Sequence, residues 1–243
     1  MCIRDSLPPS LSFFAMRILT GTASWTDPTL LACGRFYPPG VRSAEARLRF
    51  YASRFAMAEV DSSFYALPSA ENAYLWAQRT PDDFVFNIKA FRLFTGHQTP
   101  LAALPADIGR ELADWPDLVI YHGQMPEDLR DELWRRYQMA LEPLRMPGKL
   151  GAVHFQFPPW IRRDARGRAH VADCARRMEE HLISVEFRHR SWFETPEATA
   201  DTLAFERDLG VVHTVVDAPQ GFDNTVPPVW ESSHPDLTLL RLH

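Results

Sequence analysis

The sequence has little of what would mark a disulfide scaffold, a membrane span or a nucleic-acid surface. Its 243 residues hold three cysteines, Cys2, Cys33 and Cys174, far apart and without a CxxC pair. That odd, scattered set argues against a disulfide framework or a zinc ribbon and makes a reducing cytoplasm the expected setting. No apolar run approaches the ~20 residues that a spanning helix requires, so no membrane association is expected. Lys and Arg number 26 against 31 Asp and Glu, a formal net charge of −5. With the cations dispersed, net charge gives no support to a nucleic-acid partner, although a local basic groove is compatible with it. The turn GTASWTDP, after the first apolar run, contains neither GxGxxG nor GxxxxGKS/T, so the usual phosphate loops are missing.

What is present is a globular profile, 46% hydrophobic and 23% charged, long enough for one large domain. Residues 1–15, MCIRDSLPPSLSFFA, have no periodicity. They resemble a translated sequencing-adapter end followed by a poor signal segment, and are expected to be a non-native or disordered extension. From Met16 one unit recurs: a short β-branched or aromatic run, a turn, and an amphipathic helix. Strands are expected at 17–22, 58–63, 84–90, 149–158, 183–187, 211–218 and 237–243, with a short extra one at 118–123. Helices are expected at 43–55 and 69–80, each with a Ser N-cap, and at 127–145, 171–181 and 198–210. Strands alternating with helices predict an α/β fold with a mainly parallel sheet, and the missing glycine loop favours a (β/α)₈ TIM-type barrel over a doubly wound sheet. Such a barrel takes about 250 residues, so residues 16–243 are read as a single barrel domain truncated after its seventh strand. Exposed strand edges in an unclosed barrel predict poor solubility.

Alternate residues of a barrel strand face inward, and chemistry gathers at the strand exits. The polar parity collects Glu59 with Asp61, Asn87 with Lys89, His154 with Gln156, Glu186 with Arg188, His213 with Asp217, and Arg241 with His243. The opposite parity is apolar: Val60, Ile88, Phe155, Phe157, Val185, Phe187, Val212, Leu240 and Leu242. Charges alone in a core are costly, so these are expected to line the barrel mouth, where they can pair. An ionic plug that merely fills the barrel is the plain alternative.

GTASWTDP, AEVDSSFYALPS, FVFNIKAFR, HFQFPP, VEFRHRSWF, VVDAP and the terminal LRLH are similar, in order and spacing, to the motifs of the YecE-like family, also called domain of unknown function seventy-two. The likeness runs from Met16 to His243. It implies a TIM-type barrel and no agreed reaction, and it points to Trp25, Glu59, Phe64, Tyr65, Lys89, Gln156, Glu186, Arg188, His189, Trp192, Asp217, Arg241 and His243. The chain departs from the family pattern at TASW, where SGW-type sequences are common, and at Asp61, which replaces a frequent Asn.

The leading expectation is an enzyme that binds a small anionic substrate, phosphate- or carboxylate-bearing. Lys89, Arg188 and Arg241 would clamp the anion, Glu59, Glu186 or Asp217 would act as general acid or base, and Lys89 is also a candidate catalytic nucleophile. Trp25, Tyr65 and Trp192 would supply walls and stacking faces, with Gln156, His189 and His243 completing the binding set. A second expectation is a divalent-metal phosphodiesterase or isomerase with His154, Glu186, His213, Asp217 and His243 as ligands, nucleic acid being one conceivable substrate. A third is a non-catalytic binding protein. The sequence leaves the cofactor open.

Overall fold

The computed structural model describes residues 16–222 and 225–242. The elements run in the order α1 (Pro28–Ala32), α2 (Ala44–Ala52), β1 (Met57–Val60), α3 (Ala70–Gln78), β2 (Val85–Lys89), β3 (Thr99–Pro100), α4 (Ala106–Glu111) and β4 (Val119–Ile120). They continue with α5 (Glu127–Arg145), β5 (Leu150–Phe157), α6 (Ala165–Arg177), β6 (Ile183–Phe187), α7 (Pro196–Asp208), β7 (Val212–Asp217) and β8 (Leu239–Leu242).

Six strands form one parallel sheet in the order β1-β2-β5-β6-β7-β8, and β3 and β4 pair separately as a short antiparallel ribbon. In a flat sheet of six strands the edges would stand about 24 Å apart, five spacings of ~4.8 Å. Instead, Arg241 on the last strand hydrogen-bonds Glu59 on the first at 3.0 Å. The sheet therefore curls into a half-barrel whose concave face is polar and whose convex face meets the helices.

The helices start where the chain supplies an acceptor: Ser43 and Ser69 cap α2 and α3, each taking a backbone N–H at 3.1 Å, and Thr195 caps α7. This satisfies a donor that the first turn leaves free. In α5, Leu133, Trp134, Tyr137, Leu141 and Leu144 recur at helical spacing and are buried. Trp134 stacks on Phe94 at 3.7 Å and lies parallel to Phe155 of β5 at 6.2 Å. At the foot of the sheet, buried Lys149 donates to the carbonyls of Ala77 and Thr80 at 2.6 and 2.8 Å, closing the C-terminal end of α3 with a cation.

Three expectations change. Residues 17–22 do not form a ladder; among the described residues their one backbone bond to β1 is Glu59 N–H to the Thr22 carbonyl at 3.0 Å, so the strand expected there is not part of the described sheet, a half-barrel of six strands. The helix expected at 171–181 is Ala165–Arg177, begun by the Asp164 cap. Finally, the parity on β7 is reversed. Val185 pairs with His213, and Val216 pairs with Arg241, which turns Val212 and Val216 inward and His213 and Asp217 outward. His213 Nδ1 meets Glu206 of α7 at 3.1 Å, in the helix layer.

One irregularity sets the concave face. Between β2 and β5 the register passes from Phe86↔Leu150 to Ile88↔Val153, a one-residue bulge in β5. The Asn87 side chain takes the N–H of Ala152 at 2.9 Å in place of a ladder carbonyl. A Cβ on Gly151 would stand 2.4 Å from the Asn87 Oδ1, so the bulge has room only for glycine.

Candidate functional site

Glu186 is the centre of the polar concave face. Its side chain, 0% exposed, accepts from His154 Nε2 at 3.1 Å, Gln156 Nε2 at 2.7 Å and Arg241 Nη1 at 2.6 Å, and also from Arg188 Nε. Register explains the convergence: His154 and Gln156 lie opposite Ser184 and Glu186 on the neighbouring strand. Ser184 Oγ then holds His154 Nδ1 at 2.9 Å, so both imidazole nitrogens are engaged within the protein. Burial by itself would raise the Glu186 pKa, but the His154 hydrogen bond and the charges of Arg241 and Arg188 outweigh it and hold the carboxyl well below its ordinary value. Burial likewise opposes the Arg241 charge, and Glu186 and Glu59 more than offset it, raising that pKa.

Beside this centre, Lys89 at the exit of β2 donates to Asp61 at 2.8 Å. Asp61 does not continue β1; it opens a turn of 3-10 helix, Asp61–Phe64, which swings the carboxylate over the strand end. Ser63 pins that turn by donating to the carbonyls of Val60 and Lys89 at 2.7 and 2.6 Å. The Lys89 ammonium also stands 4.8 Å from the Phe64 ring centre, and the Arg92 guanidinium stands 5.3 Å from it. His97 meets Phe64 edge-on at 5.0 Å, and its pKa is pushed down to about 4, first by burial and then by Arg92 and Lys89.

The structure thus gathers Glu59, Lys89, Gln156, Glu186, Arg188 and Arg241 at the strand exits, as expected of a parallel sheet. Tyr65 is exposed on the same rim, edge-on to Phe64. His189, at the β6 exit, is held by Ser191 at 2.8 Å. Other candidates lie elsewhere. Trp192 is fully buried, stacked on Phe187 at 3.8 Å, and Trp25 packs against Trp76 and Phe86 on the helix side. Asp217 is exposed on the outward parity of β7, and His243 lies outside the described residues. Of the metal-ligand set, His154 is engaged at both nitrogens and His213 faces α7. Among the described residues no group of three or more His, Cys, Asp and Glu is placed to hold a metal ion.

Sequence reasoning passed over Arg92, His97 and Trp160, which belong to the same rim. Their signal is positional: Arg92 follows the β2 exit, and Trp160 follows the Pro158–Pro159 stop of β5.

A curled parallel α/β half-barrel with an ion-paired, strand-exit cluster defines the class. Over residues 19–243 the chain matches the family described as "Protein of unknown function DUF72", and it belongs to that family. The UPF0759 protein YunF of Bacillus subtilis (strain 168) is 32% identical over 226 residues, 93% of this chain and 70% of the relative. A crystal structure of a DUF72 family protein from Enterococcus faecalis V583 superposes with a TM-score of 0.72 at 23% identity, covering 93% of this chain and 70% of that one. Another, from Thermotoga maritima MSB8, gives 0.61 at 22%, covering 86% and 68%. These two likenesses establish the fold alone. Among the described residues no helix is long and apolar enough to cross a membrane.

Proposed function

We propose that the concave mouth binds a small anion, a phosphate- or carboxylate-bearing metabolite, and that the protein is an enzyme acting on it, in the cytoplasm. The closed TIM-type barrel belongs to the same proposal for the family domain as a whole. The observation that carries the reading is the Arg188 fork. Its Nε is fixed on Glu186, its side chain is 32% exposed, and its terminal amino groups have no acceptor among the described residues. A guanidinium held by one edge presents its other edge to a planar or tetrahedral oxyanion. Lys89 adds a second cation on the same rim.

Within the cluster, Glu186 is a positioning residue. Four protein donors keep it ionised, which suits orienting Arg188 and Arg241 more than exchanging a proton. Proton transfer falls to Glu59 and Lys89, the latter coupled to Asp61, because these groups carry fewer bonds and stand at the strand exits. The test is thermal denaturation of the protein against a panel of phosphorylated and carboxylated metabolites, with ligand turnover followed by NMR. At least one member is expected to raise Tm by several degrees and to be converted, with Arg188→Gln abolishing the shift and Glu59→Gln abolishing conversion. A panel that leaves Tm unmoved throughout sinks the reading.

A further inference from the structure

We infer that the mouth carries an aromatic ledge that receives the ring of an aryl anion, so that the substrate is an aromatic carboxylate or aryl phosphate. This rests on the anion reading above and specifies what the anion is attached to. The ledge is built from three strand exits. Tyr65 follows β1, His97 lies in the loop after β2, and Trp160 follows β5. Phe64 joins them: Tyr65 meets it edge-on at 5.1 Å, His97 at 5.0 Å, and Trp160 in turn meets His97 at 5.8 Å.

The two ends of the ledge remain open. Tyr65 is 57% exposed and Trp160 53% exposed, a large apolar outlay for a strand-exit rim of a parallel sheet. Trp160 is also oriented, because its Nε1 donates to the Gly96 carbonyl at 3.0 Å. An indole fixed in this way offers a face at little entropic cost.

Charge selects an anion for that face. Lys89 and Arg92 both lie over Phe64. Lys89 is paired with Asp61 at 2.8 Å, and the Arg92 Nε is buried without a hydrogen-bond partner among the described residues. His97, held down to about 4, adds no positive charge at neutral pH. A ring laid on the ledge therefore has a cation at its edge and the Arg188 fork on the neighbouring strand exit.

The experiment is calorimetric titration of the full chain with phenyl phosphate against methyl phosphate and with benzoate against acetate, each pair matched in charge. The aryl member of at least one pair is expected to bind about tenfold more tightly, about 1.4 kcal/mol. Trp160→Ala and Tyr65→Ala, both at exposed positions, should remove that preference and leave the alkyl partner's affinity unchanged, whereas Arg188→Gln weakens both members. Equal binding within both pairs, or a preference that survives both ledge variants, overturns the ledge and leaves the anion reading standing. If none of the probes binds, both fall.

Discussion

Arg241 Nη2 donates to Glu59 at 3.0 Å across 182 residues of chain, joining the last strand of the sheet to the first through the concave side. Its Nη1 simultaneously holds Glu186 at 2.6 Å. One guanidinium therefore separates two carboxylates and ties the curl of the half-barrel to the site. Arg241→Met would leave Glu59 and Glu186 facing each other with little water. Breaking a buried pair from one side costs about 3–5 kcal/mol, so urea unfolding should show a loss of that size. Adding Glu59→Gln should restore part of it.

The Glu186 carboxyl makes a distinct acid signature. Its folded pKa lies well below the ordinary 4.5, so its contribution to stability is fully present above about 4.5 and is lost as pH falls through the folded value. Stability curves of Glu186→Gln against the parent should accordingly differ most near neutrality and converge at the acid end. Parallel curves would show that Glu186 is not the group responsible.

His97 acts in a higher window. Folding lowers its pKa from 6.5 to about 4, so between those values the unfolded chain holds the extra proton and stability falls as the medium is acidified. His122, lowered to about 3, and His170, His181 and His189 shift in the same direction. His97→Asn should flatten the pH 6.5 to 4 limb in denaturant titrations without abolishing it.

How far the sequence revealed this site depended on the contrast between the two parities of each strand. On β2, β5 and β6 a polar set alternates with Ile88, Phe155 and Val185, and the faces could be read from the chain alone. On β7 the run VHTVVD puts valine on both faces, and its two ionisable residues, His213 and Asp217, share the outer parity. What makes that legible is Glu206, buried on α7 against His213, a tertiary partner that no local pattern announces. Trp192 misled for a related reason. It follows a strand exit, but its indole lies flat on Phe187 and its Nε1 donates to the Ile161 carbonyl at 2.9 Å, so it packs beneath the loop and not in the mouth. The Arg241–Glu59 bridge needs the curl of the whole sheet, which composition and spacing do not encode.

Gly151 offers a test of the bulge. A methyl there would meet Asn87 Oδ1 at 2.4 Å and Val85 Cγ1 at 2.7 Å, displacing the side chain that takes the Ala152 N–H. Gly151→Ala should cost about 1–3 kcal/mol, the usual range for overpacking. Asn87→Ala, which strands that buried N–H, should cost about as much. The two penalties should be less than additive in the double variant, because both act on one contact.

Arg188→Lys separates charge from shape. The substitution keeps the positive charge at the β6 exit but removes the Nε that Glu186 holds and the planar fork beyond it. If the mouth needed only a cation, affinity for a small oxyanion would persist. With the guanidinium edge as the recognition element, affinity should drop about tenfold, about 1.4 kcal/mol, while global stability moves by less than 1 kcal/mol because Arg241, His154 and Gln156 still surround Glu186. Titration of the anion that raises the parent's Tm, alongside urea unfolding of the same variant, reads both quantities. A variant that binds as tightly as the parent would mean that the positive charge at the β6 exit suffices and that the guanidinium fork is not the recognition element.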